Sequence, residues 1–139
     1  MQAETAETSE TSETVPLRGI SEATAAEILA FRDDRRWLPY HNPKDLAMSV
    51  AIEAGELLEV FQWSGTDLER GERRGELADE LADVLIYAAM LADRAGLSMD
   101  EIVRAKLVKS AARYPVDKVK GLGGASYERC RAEARKAGC

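Results

Sequence analysis

The sequence predicts an all-α fold, specifically a four-helix bundle, and three observations support this prediction. Apolar residues recur at helical spacing through the middle of the chain. Only 6% of the 139 residues are aromatic, and the chain has just 4 prolines and 10 glycines. This composition is unlike that of a β-sandwich. Because a chain of this length encloses a modest core, we also expect apolar burial between subunits.

The chain is predicted to consist of one helical domain between two tails. Residues 1–19 form a disordered acidic tail in this prediction, because the first 14 residues are rich in Glu, Thr, Ser and Ala. Residues 20–115 form the helical domain. Residues 116–139 form a flexible, glycine-containing segment with one short helix over residues 127–136, capped by Ser126.

The first two helices of the domain are bounded by start and stop signals. Ser21 is a predicted N-cap, and Pro39 ends the first helix. Asn42 followed by Pro43 predicts the start of the second helix, which runs to about Trp63. Five apolar residues recur at helical spacing in it and predict a buried stripe: Leu46, Val50, Leu57, Val60 and Phe61.

The third and fourth helices are bounded in the same way. The third is predicted over residues 76–95, where Gly96 provides a C-terminal cap. Ser98, with Glu101 three residues later, matches a capping box and predicts the start of the fourth helix. That helix is predicted to end at about Arg113, before a Tyr-Pro pair.

Charge and cysteine content exclude several classes of function. The formal net charge is −6, so the chain lacks the basic footprint of a protein that binds a nucleic acid polymer. The longest apolar run, residues 84–92, is too short to span a bilayer, so we expect no membrane insertion. The two cysteines offer neither a disulfide framework nor a zinc site. We therefore expect a reducing, cytoplasmic setting.

Two pairs of carboxylates provide the strongest chemical signal. Glu53 and Glu56 on the second helix, and Glu80 and Asp83 on the third, are each spaced i, i+3 and share a helix face. Both pairs lie at the edge of an apolar stripe, so packing these helices would bring four carboxylates together. Such a cluster requires compensation, and oxygen ligands favour Mg²⁺, Mn²⁺ or Ca²⁺ over zinc. On spacing alone a solvated acidic face remains the alternative, and residues 76–79 repeat the spacing.

These motifs resemble those of a known family. The segments EAGELLEVFQW (residues 53–63) and DELADVLIY (residues 79–87) resemble the MazG-like nucleotide pyrophosphohydrolases, an all-α family defined by ExxE, a spacer and ExxD. The resemblance is strongest to the dCTP pyrophosphatase branch, in which the ExxE helix ends in Phe-Gln-Trp. The His-Asn-Pro at residues 41–43 and the segment from Lys106 to Pro115 also match.

The resemblance implies an activity and a set of partners. It implies Mg²⁺-dependent hydrolysis of a nucleoside triphosphate to the monophosphate and pyrophosphate, with Mn²⁺ able to substitute. The expected substrate is dCTP or a modified dCTP, and the expected role is sanitation of the nucleotide pool. The expected assembly is a homodimer or homotetramer, that is, a dimer or a dimer of dimers.

The resemblance also implies roles for individual residues. The implied metal ligands are Glu53, Glu56, Glu80 and Asp83. The implied catalytic residues are Glu56, Glu53 and Lys106, with Glu56 holding or deprotonating the attacking water. The implied substrate-binding residues are Trp37, His41, Trp63, Tyr87, Lys106, Ser110 and Arg113. Lys106 and Arg113 are expected to stabilise charge on the leaving pyrophosphate.

Alternatives to this function remain open. The family commonly has Asn at the position of Ser110, and dCTP-selective animal relatives have His at the position of Ile28. The substrate could therefore instead be dUTP or a damaged purine nucleotide. A non-catalytic nucleotide-binding or regulatory bundle is an alternative from another class, although the intact carboxylates argue against it. A di-iron bundle is disfavoured, because the single histidine, His41, is not in a Glu-x-x-His motif.

Overall fold

A computed structural model describes residues 19–63, 73–121 and 123–137. All the regular secondary structure in these residues is helical. The helices are α1 (Glu22–Asp34), α2 (Pro43–Glu59), α3 (Arg74–Ala95), α4 (Met99–Arg113), α5 (Val116–Val119) and α6 (Gly124–Lys136). A short 3-10 turn (Leu38–Tyr40) connects α1 to α2. The predicted all-α fold is confirmed. The predicted N-terminal tail lies outside the described residues, except for Gly19.

Side-chain and glycine caps explain where four of the helix ends lie. The side-chain oxygens of Ser21, Asn42 and Ser98 each accept a hydrogen bond from the backbone N–H three residues later, at 3.1, 3.0 and 3.4 Å. These bonds satisfy amides that have no partner within the helix. Gly96 closes α3 in the left-handed conformation, with φ of 64°. These four predicted caps are confirmed.

The ends of α2 and α3 differ from the prediction. The helix α2 ends at Glu59 instead of about Trp63, and residues 60–63 form turns. Trp63 has a φ of 68°, a left-handed conformation that cannot continue a right-handed helix. The helix α3 begins at Arg74, two residues earlier than predicted. The adjacent Arg73 donates a hydrogen bond to the backbone carbonyl of Val60 at 2.5 Å, which ties the start of α3 to the end of α2.

The C-terminal segment contains more helix than the sequence predicts. The helix α6 begins at Gly124 with Gly123 as its N-cap, so Ser126 lies buried in the first turn instead of capping the helix. Gly123 has a φ of 71°, which favours glycine and sets the start of the helix. The four-residue helix α5 was not predicted, and it follows Pro115, which serves as its N-cap.

The main core lies where α1 and α2 pack on α3, with α2 and α3 forming the most extensive helix pair. Ile28, Leu46 and Met90 are buried and in contact, and Leu46 is only 1% exposed. The burial predicted for the apolar stripe is confirmed, because two of its five residues are buried and the rest half-buried, although Val60 and Phe61 lie in the turns that follow α2. Burial of apolar surface here provides the main stabilisation of the three helices.

A buried cation fastens α1 to α3. The Arg32 side chain is 5% exposed, and its guanidinium donates to Asp33 at 2.7 Å and to Asp93 of α3 at 2.6 Å. A buried charge without such partners would be strongly destabilising. The hydrogen bond from Arg32 is also the main reason that the pKa of Asp33 is lowered. The position of α1 therefore depends on one long-range ion pair as well as on the core.

The remaining helices pack mainly on one another, since α6 contacts both α4 and α5. Tyr114 stacks on Tyr127 of α6, with ring centroids 5.1 Å apart and planes 11° from parallel. No residue of α4 is buried, and Leu107 and Val108 are 62% and 72% exposed. Among the described residues, no helix is both long enough and apolar enough to cross a membrane.

Candidate metal and nucleotide site

Three of the four predicted carboxylates come together where α2 packs on α3. One carboxylate oxygen each from Glu53, Glu80 and Asp83 lies within 4.8 Å of the other two. The i, i+3 spacing on α3 points Glu80 and Asp83 to the same face, and Glu53 meets them from α2. Glu53 and Glu80 are half-buried. We call Glu53, Glu80 and Asp83 the carboxylate trio.

The electrostatics of the carboxylate trio fit a bound cation. Burial is the largest cause that raises the pKa of Glu53 and Glu80, followed by the charges of Glu56 and Asp83. One carboxylate oxygen of Glu80, Oε2, is buried without a hydrogen-bond partner among the described residues. A divalent cation would remove both the repulsion and the unsatisfied acceptor. A donor set made only of carboxylate oxygens suits Mg²⁺ or Mn²⁺.

The fourth predicted ligand, Glu56, lies beside the carboxylate trio but is not part of it. It is exposed on α2, one turn after Glu53. Its charge nevertheless raises the pKa of Glu53 and Glu80, which places it close to both. Glu56 is thus near the candidate metal position, and its role as a metal ligand stays a prediction.

A cleft of about 440 Å³ opens beside the carboxylate trio, between α1 and α3. Asp83 belongs to both, because it also lines the cleft. The buried residues Ile28 and Met90 lie in the wall of the cleft. The cleft therefore joins an acidic end to an apolar interior, a combination typical of small-molecule sites.

Aromatic side chains line the cleft. The ring of Trp37 lies 5.7 Å from that of Phe31 and 6.0 Å from that of His41, and His41 lies 6.5 Å from Tyr87, measured between centroids. Arg94 of α3 donates a hydrogen bond to the backbone carbonyl of His41 at 2.9 Å, which holds the turn against α3. Three predicted substrate-binding residues, Trp37, His41 and Tyr87, thus share one cleft that offers flat apolar surfaces to a base.

Polar groups at the edge of the cleft were missed by the sequence analysis. Thr24 and Glu27 of α1 line it together with Ile28 and Phe31. Their spacing could have predicted this position. Thr24 lies four residues before Ile28 and Glu27 four residues before Phe31, so all of them lie on one side of α1. The Glu27 carboxylate forms no ion pair with the described part of the chain. It is therefore available to a ligand.

The other predicted substrate-binding residues do not line this cleft. Trp63 is 91% exposed, beyond the end of α2. Lys106, Ser110 and Arg113 lie on α4, which packs mainly on α6 in the single chain. Arg113 lines a different cavity, between α4, α5 and α6. The roles of these four residues stay predictions.

Comparisons with known proteins agree with this geometry. The model of the MazG-like family matches residues 48–127, more than half of the chain. The chain is 35% identical to dCTP pyrophosphatase 1 of Mus musculus over 116 residues, which cover 76% of this chain and 68% of that protein. It is 38% identical to dCTP pyrophosphatase 1 of Homo sapiens over 91 residues, which cover 61% of this chain and 53% of the human protein.

A solved structure resembles the fold. The crystal structure of a pyrophosphatase from Archaeoglobus fulgidus superimposes with a TM-score of 0.63 at 41% sequence identity. The match covers 74% of this chain and 99% of that protein. The similarity therefore extends over almost the whole of the archaeal chain.

Proposed function

Because the chain belongs to the MazG-like family and is a nucleoside triphosphate pyrophosphohydrolase, we propose that its substrate is dCTP or a modified dCTP and its cofactor Mg²⁺. The observation that carries this proposal is the position of Asp83, which belongs to both the carboxylate trio and the aromatic cleft. A triphosphate at the carboxylate trio would place its base in the cleft. Such an activity would remove a surplus or modified deoxynucleotide from the nucleotide pool.

The carboxylate trio would hold the metal ion. Bound there, Mg²⁺ would neutralise phosphate oxygens and lower the pKa of a bound water molecule. The unsatisfied oxygen of Glu80 and the raised pKa of Glu53 and Glu80 support this assignment. Mn²⁺ prefers the same donors and should substitute.

Water is the nucleophile that attacks the triphosphate in the proposed reaction. The water oxygen bonds to the α-phosphorus, and the bond from that phosphorus to the bridging oxygen of the β-phosphate breaks. The proton of the water passes to Glu56, which lies beside the carboxylate trio and is exposed, so its carboxylate is free to accept it. Pyrophosphate leaves with the electron pair of the broken bond.

Basic side chains of α4 would stabilise the leaving pyrophosphate. We assign this role to Lys106 and Arg113, because both lie in the segment that resembles the MazG-like motif and their charges oppose that of the leaving group. Both residues lie on α4, whose apolar side chains are exposed in the single chain. Their delivery to the carboxylate trio is consistent with the homodimer or homotetramer that we propose for the protein.

Glu27 supports cytosine over uracil as the base. An ionised carboxylate only accepts hydrogen bonds. Cytosine presents an amino group at C4, which donates to such an acceptor, whereas uracil presents a carbonyl oxygen there. A site that leaves a polar partner unpaired rejects the wrong ligand strongly. Glu27 at the edge of the cleft therefore makes dUTP the weaker alternative.

The experiment that tests this proposal is pyrophosphate release from a panel of canonical and modified nucleoside triphosphates, with Mg²⁺ and with EDTA. We expect metal-dependent release that is fastest with dCTP or a 5-substituted dCTP. Fastest release with dUTP or with a purine nucleotide would contradict the base assignment alone. Absence of release from every triphosphate, with Mg²⁺ binding confirmed by calorimetry, would indicate a non-catalytic module.

A further inference from the structure

A second cavity, of about 280 Å³, lies between α4, α5 and α6 and shares no lining residue with the carboxylate trio or the cleft. Lys109 and Arg113 of α4 and Lys118 of α5 contribute basic side chains, and Glu133 of α6 is the one acidic residue that lines it in the described part of the chain. We propose that this cavity, the basic cavity, binds a small phosphate anion, either orthophosphate or pyrophosphate.

The basic side chains around the basic cavity form no ion pairs with the described residues. Among the described residues, none of Lys109, Arg113 and Lys118 forms an ion pair, whereas Arg32, Arg73 and Arg104 do. Three cations against one carboxylate leave a local excess of two positive charges. Like charges that converge on one cavity repel each other, and an anion removes this repulsion.

The walls of the basic cavity strengthen an interaction with an anion. Ala112, Pro115 and Ala134 provide apolar surface, and the thiol of Cys130 is buried at 7% exposure. Charge-assisted hydrogen bonds are stronger beside such walls than in open water. The volume is at the lower limit of about 300 Å³ that is typical of ligand pockets, which suits a phosphate group better than a whole nucleoside triphosphate.

An aromatic stack joins two of the helices around the basic cavity. The stack of Tyr114 on Tyr127 joins the end of α4 to α6 at 5.1 Å between centroids. Pro115 sets the turn from α4 into α5, so the cations of both helices face one space. A preorganised site loses less conformational entropy on binding. The basic cavity shares Arg113 with the residues of the proposed mechanism, and its two lysines, Lys109 and Lys118, are what distinguish it from the catalytic site.

The test is calorimetric titration of the full chain with inorganic pyrophosphate in EDTA, which keeps metal from linking the anion to the carboxylate trio. We expect binding, and we expect the double variant Lys109→Ala, Lys118→Ala to weaken it by about tenfold or more. The matched control is Lys120→Ala, Lys136→Ala, because these lysines are exposed and do not line the cavity. Catalysis should be unchanged in both double variants, because the proposed mechanism uses neither pair.

A second measurement locates the anion. Alkylation of Cys130, followed by mass spectrometry, should slow when pyrophosphate binds, because the thiol lines the same cavity. An orthophosphate titration distinguishes recognition of one phosphate group from recognition of two. The proposal is overturned by the absence of binding heat, by equal weakening in both double variants, or by equal binding of chloride at matched ionic strength.

Discussion

The two halves of the described chain bury their apolar residues to very different extents. In the α1–α3 region, Ile28, Leu46 and Met90 are at most 8% exposed and form one cluster. In the α4–α6 region the buried residues are Ser126 and Cys130, while Leu107 and Val108 are more than half exposed. The α1–α3 region thus contains a core, and the α4–α6 region depends on local signals and on a few contacts.

The two regions illustrate two sources of helix stability, local interactions within a helix and packing between helices. The helix α4 has a Ser98 cap, acidic residues in its first turn and Arg113 in its last, all of which stabilise a helix locally. Most helical stability in proteins nevertheless comes from packing of an apolar face. The carboxylate trio and the cleft, which require exact placement of side chains, both lie in the α1–α3 region, where packing provides it.

The largest expected effect comes from changing the carboxylate trio. Glu80→Gln should lower the rate of pyrophosphate release by about 10³-fold, because metal binding contributes several kcal/mol to transition-state stabilisation. The matched control is Asp79→Asn, an exposed neighbour on α3 that lies outside the trio. Initial rates at saturating Mg²⁺ measure both. A larger loss in Asp79→Asn than in Glu80→Gln would place the metal ligands in the other register of the repeated motif, Glu76 and Asp79.

The next effect concerns the buried ion pair of the α1–α3 region. Arg32→Leu should lower the free energy of unfolding by about 2 kcal/mol, because it leaves Asp93 without its partner. Arg104→Leu removes an exposed ion pair with Asp100 on α4 and should cost less than about 0.5 kcal/mol. Urea denaturation followed by circular dichroism measures both. A similar decrease in the free energy of unfolding for the two variants would show that the buried ion pair is no more important to stability than the exposed one.

A smaller effect is expected on substrate selection. Glu27→Gln introduces a side chain that both donates and accepts, so the ratio of kcat/KM for dCTP to that for dUTP should fall by about tenfold. Glu22→Gln is the matched control at the start of α1, where the side chain does not line the cleft. Loss of activity toward both substrates without a change in their ratio would indicate that Glu27 does not contact the base.

Substitutions on α4 test what covers its apolar side chains. In a single chain, Leu107→Ser or Val108→Ser should change the free energy of unfolding by less than about 0.5 kcal/mol, since both positions are exposed. In the homo-oligomer that we propose, either change should shift the protein toward smaller species in sedimentation. Val116→Ser, on α5 and 69% exposed, is the control. An unchanged distribution would show that α4 lies outside the subunit interface.

The smallest effect is the pH dependence of the metal-free protein. The pKa of Glu53 and Glu80 is raised above 4.5, so the folded state holds these protons more tightly than the unfolded state. Their contribution to stability is complete below that value and is lost as the pH rises through the folded-state pKa. In EDTA, the Tm of the parent should therefore fall relative to a Glu53→Gln, Glu80→Gln variant as the pH rises toward neutrality. Added Mg²⁺ should raise the Tm of the parent but not that of the variant. A difference in Tm between the two proteins that does not change with pH would contradict this linkage.

Local interactions made much of this protein predictable. The caps at Ser21, Asn42 and Ser98 depend on hydrogen bonds that span three residues, and Gly96 depends on its own backbone freedom. The i, i+3 spacing of Glu80 and Asp83 likewise follows from helix geometry alone. The helical class, the starts of α1, α2 and α4, and the acidic face could therefore be predicted from the sequence.

Other features depend on how distant segments meet. The end of α2 at Glu59 was not predicted, because it accompanies a left-handed Trp63 and a hydrogen bond from Arg73. The start of α6 was predicted wrongly because its N-cap is Gly123, which has no side chain to form a capping hydrogen bond. Ser126, the predicted cap, is buried within the helix instead. The spacing of Thr24 and Glu27 was visible, but no local signal indicated what α1 faces.

The sequence by itself determined which residues share a helix face, because every backbone bond and cap involved lies within a few residues. Only the tertiary structure decided which faces meet. The docking of α1 on α3 by Arg32 and Asp93, 61 residues apart, creates the cleft and places Glu27 in it. Packing of α2 on α3 brings Glu53 together with Glu80 and Asp83 and leaves Glu56 beside them, although both pairs have the same spacing. Burial and charge repulsion at that interface depend on contacts between separate helices, and sequence spacing carries no record of them.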